Sequence, residues 1–464
     1  MKAHLSLLAV SLLLAACGTP VADLDSGIAP PPAWQSLDTP ASRSDNRQWW
    51  TQFGSPQLNR LIAQARTDSH DLAAAMARVR QAQASAVIAG APLLPEVKAG
   101  LNGYRQQLLR GKGYSQLDVD RDNRSLDYYE ANLSATYELD FWGGKRAARD
   151  SALSSLSASR FDRATVEMTL LSGVANSYVQ ALSLREQQRI AELNLANAQN
   201  VLDLVQTRYD AGGATALELS QQKSLVAAQH RKVPQVQQQA REALITLATL
   251  LGQPVQSVRL DDEPFNRLQW PSIDAGVPSE LLRRRPDIAA AEARLAAAQA
   301  DITVARAAML PSVTLGLNLA TGADIADQLL RNNVYNLTAG LAAPIFNNGR
   351  LDAERDKAIA RQEELLALYR GAIINGFADV EKALTGIHGL DRQRQWQTDE
   401  LRHAQTAFDI AQRRYQAGAE DLLTVLETQR TLYAAQDMNV QLRLARAQAS
   451  VALYKALGGG WEVM

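Results

Sequence analysis

Cysteine is almost absent: of 464 residues only Cys17 carries a thiol. Disulfides within the chain and thiolate metal clusters are thereby excluded. Charge of one sign is missing too. The 49 acidic residues face 48 basic ones, aromatic residues make up only 6%, and the balance suggests no nucleic-acid partner. No apolar run reaches the roughly 20 residues that a helix needs to cross a hydrocarbon core. His70, His230, His388 and His403 lie scattered, and no nucleophile elbow, phosphate loop or zinc-spacing motif accompanies them. An enzyme is therefore not expected, and no cofactor or metal is implied.

What is present begins at the N-terminus. Lys2 precedes an apolar run from Leu5 to Ala16, the pattern of a secretory signal over residues 1–16. The run closes on Leu14-Ala15-Ala16-Cys17. A Leu, two small residues and a Cys resemble the lipobox of bacterial lipoproteins, in which the sulfur is acylated before cleavage. Cys17 is thus expected to become a lipidated N-terminus, and the dual acyl chains of such a residue anchor stably where one would not. The Gly18 that follows Cys17 resembles the sorting signal of lipoproteins released to the outer membrane. Residues 17–55 read as a tether that leads into the first helix, with Pro30, Pro31 and Pro32 stiffening it.

Alanine, Gln, Leu and Arg dominate the remainder, the composition of long helices and coiled coils. A proline-rich break over 253–285 divides it, and the two sides are related. Asp71 to Asn102 aligns without gaps on Asp287 to Asn318, sharing Asp-x-Ala-Ala-Ala-x-Ala-Arg and Leu-Pro-x-Val-x-x-Gly-Leu-Asn. Arg208-Tyr209-x-Ala211-Gly212 likewise matches Arg414-Tyr415-x-Ala417-Gly418. The expected organisation is a first repeat over 56–252, a linker or equatorial belt over 253–285, and a second repeat over 286–464. A unit of this length is a duplicated block and not a solenoid.

Each repeat holds two segments of period two, with the apolar residues on odd numbers. Val97, Ala99 and Leu101 alternate with Glu96, Lys98 and Asn102; Tyr129 through Leu139 alternate with Glu130 through Asp140. Val313 to Leu319 and Tyr335 to Ile345 repeat the pattern. Alternation over about 10 residues fits tilted strands of a membrane barrel. A soluble sandwich also alternates, although it needs more strands and is not interrupted by long helices. Four strands cannot close a barrel in lipid, where open edges are forbidden. Three copies sharing one barrel supply 12 strands, whereas two supply 8 and leave little room for a solute.

The intervening stretches, from about Trp142 to Arg208 and from about Gly349 to Tyr415, contain no proline. As helices each would run on the order of 100 Å. The segments that follow carry heptad seams, one through Val233, Val236, Ala240, Ala243, Leu247 and Leu250, the other through Val440, Leu444, Ala447, Val451 and Tyr454. Pro234 is expected to kink the first of them. Periodicity alone leaves open a lipid-anchored coiled-coil scaffold without channel activity, which would give the four strands no purpose.

Several motifs then occur in one order. They are Trp49-Trp50-x-x-Phe53, Tyr137-Glu138-Leu139-Asp140-Phe141-Trp142-Gly143, Pro278 through Ile288, Ala343-Pro344-Ile345-Phe346 with Gly349-Arg350, and Gly458-Gly459-Gly460-Trp461. Together they resemble the TolC-like outer membrane factors of efflux pumps, especially the lipidated OprM-like branch, over essentially the whole mature chain. The resemblance implies an α+β membrane protein in which each chain gives four strands to a trimeric 12-stranded outer-membrane β-barrel. A long α-helical periplasmic barrel of coiled coils continues it. It implies a homotrimer bound to outer-membrane lipid, a periplasmic adaptor as partner, and an inner-membrane transporter reached indirectly. Arg208, Tyr209, Gly212, Arg414 and Gly418 would form the adaptor-docking tips. Glu218 and Glu427 would face the axis, Leu423 would make an apolar constriction, and Tyr415 with Arg430 would make latching contacts. Glu420 stands where the non-lipidated relatives carry an Arg, which puts that latch in doubt.

Overall fold

The computed structural model describes residues 25–36, 48–107, 125–271, 275–459 and 461. The signal sequence and Cys17 lie outside the described residues. After a 3₁₀ turn over Trp49–Phe53 come α1 (Pro56–Asp68) and α2 (His70–Gly90), strands β1 (Glu96–Gln107) and β2 (Ser125–Leu139), and the helices α3 (Gly144–Asp210) and α4 (Ala216–Leu250). The belt holds α5 (Pro278–Arg284), and the second repeat holds α6 (Pro286–Ala307), β3 (Ser312–Ala323), β4 (Asn333–Ala342), α7 (Arg350–Gln416) and α8 (Leu422–Ala456). The two long helices, α3 and α7, each have 67 residues.

The strands form one antiparallel sheet in the order β1-β2-β3-β4. The register pairs Val97 with Ala135, Ala135 with Leu317 and Leu317 with Leu337. Odd residues meet odd residues across all four strands, so one face is apolar along most of the sheet, interrupted at its outer end by the Arg105–Asp127 ion pair, and a polar face backs it. Leu101, Leu337 and Leu341 are each more than 70% exposed. β4 is exposed at every residue. Ala343 and Ile345 fall beyond the end of β4, and Ile345 and Phe346 are almost fully exposed there.

Below the sheet, each long helix is matched by two shorter ones. α3 packs against α2 near the strands and against α4 further down; α7 packs in the same way against α6 and then α8. α6 also lies along α3 and so joins the two repeats. The expected seam of α4 is buried at Val236, Ala243 and Leu247, and that of α8 at Val440, Ala447, Val451 and Tyr454. α4 continues through Pro234 without a break in its helical span. Pro234 and His230 are both exposed there, so the carbonyl that loses its N–H partner faces solvent.

The main core sits at mid-height. Trp49 and Phe53 are buried, and Trp49 stacks on Tyr454 with ring centroids 5.0 Å apart. Ser55 caps α1 through the Leu58 N–H. Both Ser55 and Tyr178 donate to the Glu263 carboxylate, each at 2.6 Å, which fastens the belt segment to α3. The segment from Asp25 to Ser36 is not a free tether. Trp34 is buried against Phe377 and donates from Nε1 to the Gly276 carbonyl, while the Gln35 N–H donates to Glu381. Its polar, proline-rich composition reads as a linker, yet the Trp34 indole and the bonds at Gln35 and Ser36 dock it.

Arg285 joins the belt to the second repeat. It is buried, donates two bonds to Asp287 at 2.6 and 3.0 Å, and donates to Asp379 on α7 at 2.9 Å. Burial pushes the Asp287 carboxyl upward. The two bonds and the positive charge of Arg285, with the Ile288 N–H, outweigh that and hold it below its ordinary value. A depressed folded-state pKa adds stability above the unfolded value near 3.9, and that stability is lost as pH falls through the folded value. Asp287→Asn is therefore expected to lower the midpoint of thermal unfolding at pH 7, by the equivalent of about 1 kcal/mol because a third of the side chain meets water. The gap from wild type should narrow below about pH 4. Circular dichroism melts at pH 7 and pH 3 check this, and a gap that is constant with pH would count against the ion pair.

Candidate functional site: the hairpin tips

Both hairpins end in the same way because both tips carry the Arg-Tyr-x-Ala-Gly pattern. At the first, the Gly213 N–H donates to the Arg208 carbonyl and the Gly212 N–H to the Tyr209 carbonyl. At the second, Ala419 donates to Arg414 and Gly418 to Tyr415. These are Schellman-type closures that need a left-handed residue, supplied by Gly212 at φ 78° and Gly418 at φ 76°. The returning helices start on side-chain caps. Thr215 and Glu218 form a reciprocal capping box, and Asp421 accepts from the Thr424 N–H.

Of the five expected tip residues, Tyr209, Gly212, Arg414 and Gly418 are exposed and Arg208 is half-buried. Tyr209 is 40% exposed, whereas Tyr415, its equivalent in the second repeat, is buried. The difference is Arg208. It reaches across to the second hairpin, lies 4.5 Å over the Tyr415 ring and donates to the Tyr415 carbonyl at 3.1 Å. Arg414, its own repeat equivalent, turns instead to Glu420 at 3.1 Å within its tip. The two tips of a protomer are thus tied asymmetrically. The Tyr415 hydroxyl is buried and has no partner within the described residues.

The expected gate residues occupy different settings. Leu423, Glu427 and Arg430 recur at i, i+4 and i+7 on α8, an exposed stripe opposite the buried Leu422, Val425, Leu426 and Gln429. Glu218 is the third residue of α4, and its carboxylate accepts from the Thr215 N–H at 2.6 Å. Its equivalent in the second repeat is Thr424, so Glu427 lies about one turn deeper than Glu218 and the two do not share a layer. The Thr-x-x-Glu pattern that signals the capping role was present in the sequence.

Just inside the tips, buried amides set the helix register. Gln222 donates from α4 to the Ala198 carbonyl on α3 at 2.7 Å, and Gln397 from α7 to the Ala435 carbonyl on α8 at 3.0 Å. Gln429 donates to the Tyr433 hydroxyl, which donates to the Asn194 carbonyl of the other hairpin. No sequence signal marked these residues, since glutamine is equally common on the solvated faces.

Comparison with known proteins places the fold and its tips in context. The outer membrane efflux protein family matches residues 61–253 and 277–459. The chain is 63% identical over 460 residues to the pyoverdine export outer membrane protein OpmQ of Pseudomonas aeruginosa, covering 99% of this chain and 97% of that one. It is 30% identical over 424 residues to the cation efflux system protein CusC of Escherichia coli, covering 91% and 90%. Among solved structures, the outer membrane protein VceC of Vibrio cholerae superposes with a TM-score of 0.83 at 28% identity, over 91% of this chain and 100% of that one. A CusC structure superposes with a TM-score of 0.81 at 28% identity, over 93% and 98%. The four-stranded sheet with two open edges and the paired 67-residue helices are one protomer of such an assembly. The chain belongs to the outer membrane efflux protein family, and it is the trimeric outer-membrane exit channel of a tripartite efflux system.

Proposed function

We propose that the trimer exports a pyoverdine-type compound, docks a periplasmic adaptor through its hairpin tips, and is held to the outer membrane by lipid on Cys17 as well as by its barrel. The degree of likeness carries the cargo assignment. Identity to the pyoverdine export protein is 63%, against 30% to the toluene efflux protein TtgF of Pseudomonas putida and to CusC. The repeats 56–252 and 286–464 act as the two working arms, joined by the belt 253–285. Arg208, Tyr209, Gly212, Arg414 and Gly418 offer the adaptor two similar turns per protomer, and the inner-membrane transporter is reached through that adaptor.

Closure at the periplasmic end is assigned to the stripe of Leu423, Glu427 and Arg430, with Glu218 and Tyr415 beside it. Turned to the axis, Leu423 narrows the path and three copies of Glu427 make an acidic ring. Such a ring favours cations, and the crowding of like charge must be offset by helix packing. The tie from Arg208 to Tyr415 makes the two hairpins of one protomer move together, so opening occurs between protomers.

Two measurements test this. In a Pseudomonas aeruginosa strain lacking OpmQ, the chain should restore pyoverdine to the medium, measured by chromatography, while Cys17→Ser should yield protein without acyl chains by mass spectrometry. Failure to restore export in a strain that displays the folded trimer would reject the cargo. In planar bilayers, Leu423→Ser with Glu427→Ala should raise single-channel conductance several-fold and shift the reversal potential toward lower cation preference, and Arg60→Ala, near the belt, should change neither. Wild-type values for both quantities in a folded double variant would remove these residues from the gate.

A further inference from the structure

The polar face of the sheet carries an aromatic feature that a water-filled duct does not require. Odd-numbered residues form the apolar, lipid-directed face along most of the sheet and carry the Arg105–Asp127 ion pair at its outer end, so the even-numbered ones line the lumen. Among the described strand residues, the only aromatic side chains at even positions are Tyr104 and Tyr128. They are direct partners across the β1–β2 ladder, with ring centroids 5.3 Å apart and planes inclined by 37°. Tyr104 is 49% exposed. The Tyr128 ring lies against the wall over Gly322 of β3, where a Cβ would collide with its hydroxyl and ring carbons. Glycine at that position is what lets the ring lie flat.

Both tyrosines fall three residues from the β1–β2 connection, at the end of the sheet away from the helices. The pair therefore sits near the outer mouth. Glu130, next along the same face of β2 and opposite Gly322, adds a carboxylate beside the rings. Tyrosines on the lipid side of a barrel anchor it at the membrane interface, a role that these two, facing water, do not have. The face of a phenol ring is electron-rich and attracts flat cations, and the nearby carboxylate acts in the same sense.

We propose that Tyr104 and Tyr128, with Glu130, form a stacking subsite at the outer mouth for planar aromatic groups that carry delocalised positive charge, once per protomer. The inference rests on the channel function and adds a ligand class to it. Contact there is brief, because a conducting site must release what it holds.

The test uses purified trimers in planar bilayers with proflavine, a planar aromatic cation, added on the outer side. Wild type should show concentration-dependent flickering block. Tyr104→Ser with Tyr128→Ser should weaken that block about tenfold with little change in open conductance, the loss expected for two modest ring contacts. Tyr104→Phe with Tyr128→Phe should retain it, and Gly322→Ala, which displaces the Tyr128 ring, should weaken it several-fold. Tetraethylammonium, a non-planar cation, should act equally on wild type and the double-serine trimer. Equal proflavine block in wild type and the double-serine trimer overturns the subsite, as does the absence of block in wild type. If the double-serine trimer does not assemble, unchanged block in Gly322→Ala overturns it. Failure of every variant to conduct at all would instead overturn the channel reading.

Discussion

The hydrogen-bonding requirement of backbone in lipid organises this molecule. A bilayer core offers no water to an unpaired N–H or C=O, so a sheet that spans it can have no edge. The protomer has two, because β1 pairs only with β2 and β4 only with β3. Its odd-numbered face is apolar along most of all four strands, so it belongs in lipid, yet one chain cannot stay there alone. Joining β1 of one protomer to β4 of the next satisfies every edge with three copies. The trimer is thus a condition for membrane insertion as well as an assembled state.

That closure fixes what the helices must do. Each protomer hangs two hairpins from its strands, and the junction is rigid. Asp140 accepts from the Lys145 and Arg146 N–H groups at the start of α3, and the Trp142 indole donates to the Pro311 carbonyl between α6 and β3. The strand register is thereby passed into the helical wall. Further down, the Tyr178 bond to Glu263 fixes the belt to the first repeat and the Arg285 ion pairs fix it to the second. Buried ion pairs are a poor source of net stability but a strong source of geometry, since a misaligned partner leaves a charge unpaired.

Much of this was legible beforehand, for reasons that follow from period. Strands of period two and helices of period 3.6 write different patterns, and the long helices lacked the one residue type that would have broken them. Their predicted ends, Trp142 to Arg208 and Gly349 to Tyr415, fall within two residues of the observed spans Gly144–Asp210 and Arg350–Gln416. The glycine tips were legible because a left-handed turn restricts residue choice. What was not legible depends on pairs far apart in sequence. Nothing near Arg208 indicates that it will seat on Tyr415 while Arg414 stays within its own tip, and nothing in 25–36 indicates that Trp34 finds a groove on α7. Pro234 lies inside an unbroken helical span, and its exposed position lets solvent take over the bond that proline forfeits.

The asymmetry between the two tips is where a duplicated sequence departs from duplicated function. Two identical hairpins would give the wall six equivalent tips and no reason to open along one set of contacts before another. Arg208 removes that equivalence: it buries the second tip's tyrosine under a cation and leaves the first tip's Tyr209 in solvent. Stacking and a carbonyl bond hold the hairpins of one protomer together, and each such contact is modest alone. The buried chain from Gln429 through Tyr433 to the Asn194 carbonyl repeats the link a few turns further in. The Lys232–Asp437 ion pair adds a further tie between the hairpins of one protomer. Ties of this kind let each pair of hairpins act as one lever, which is what the proposed opening between protomers requires.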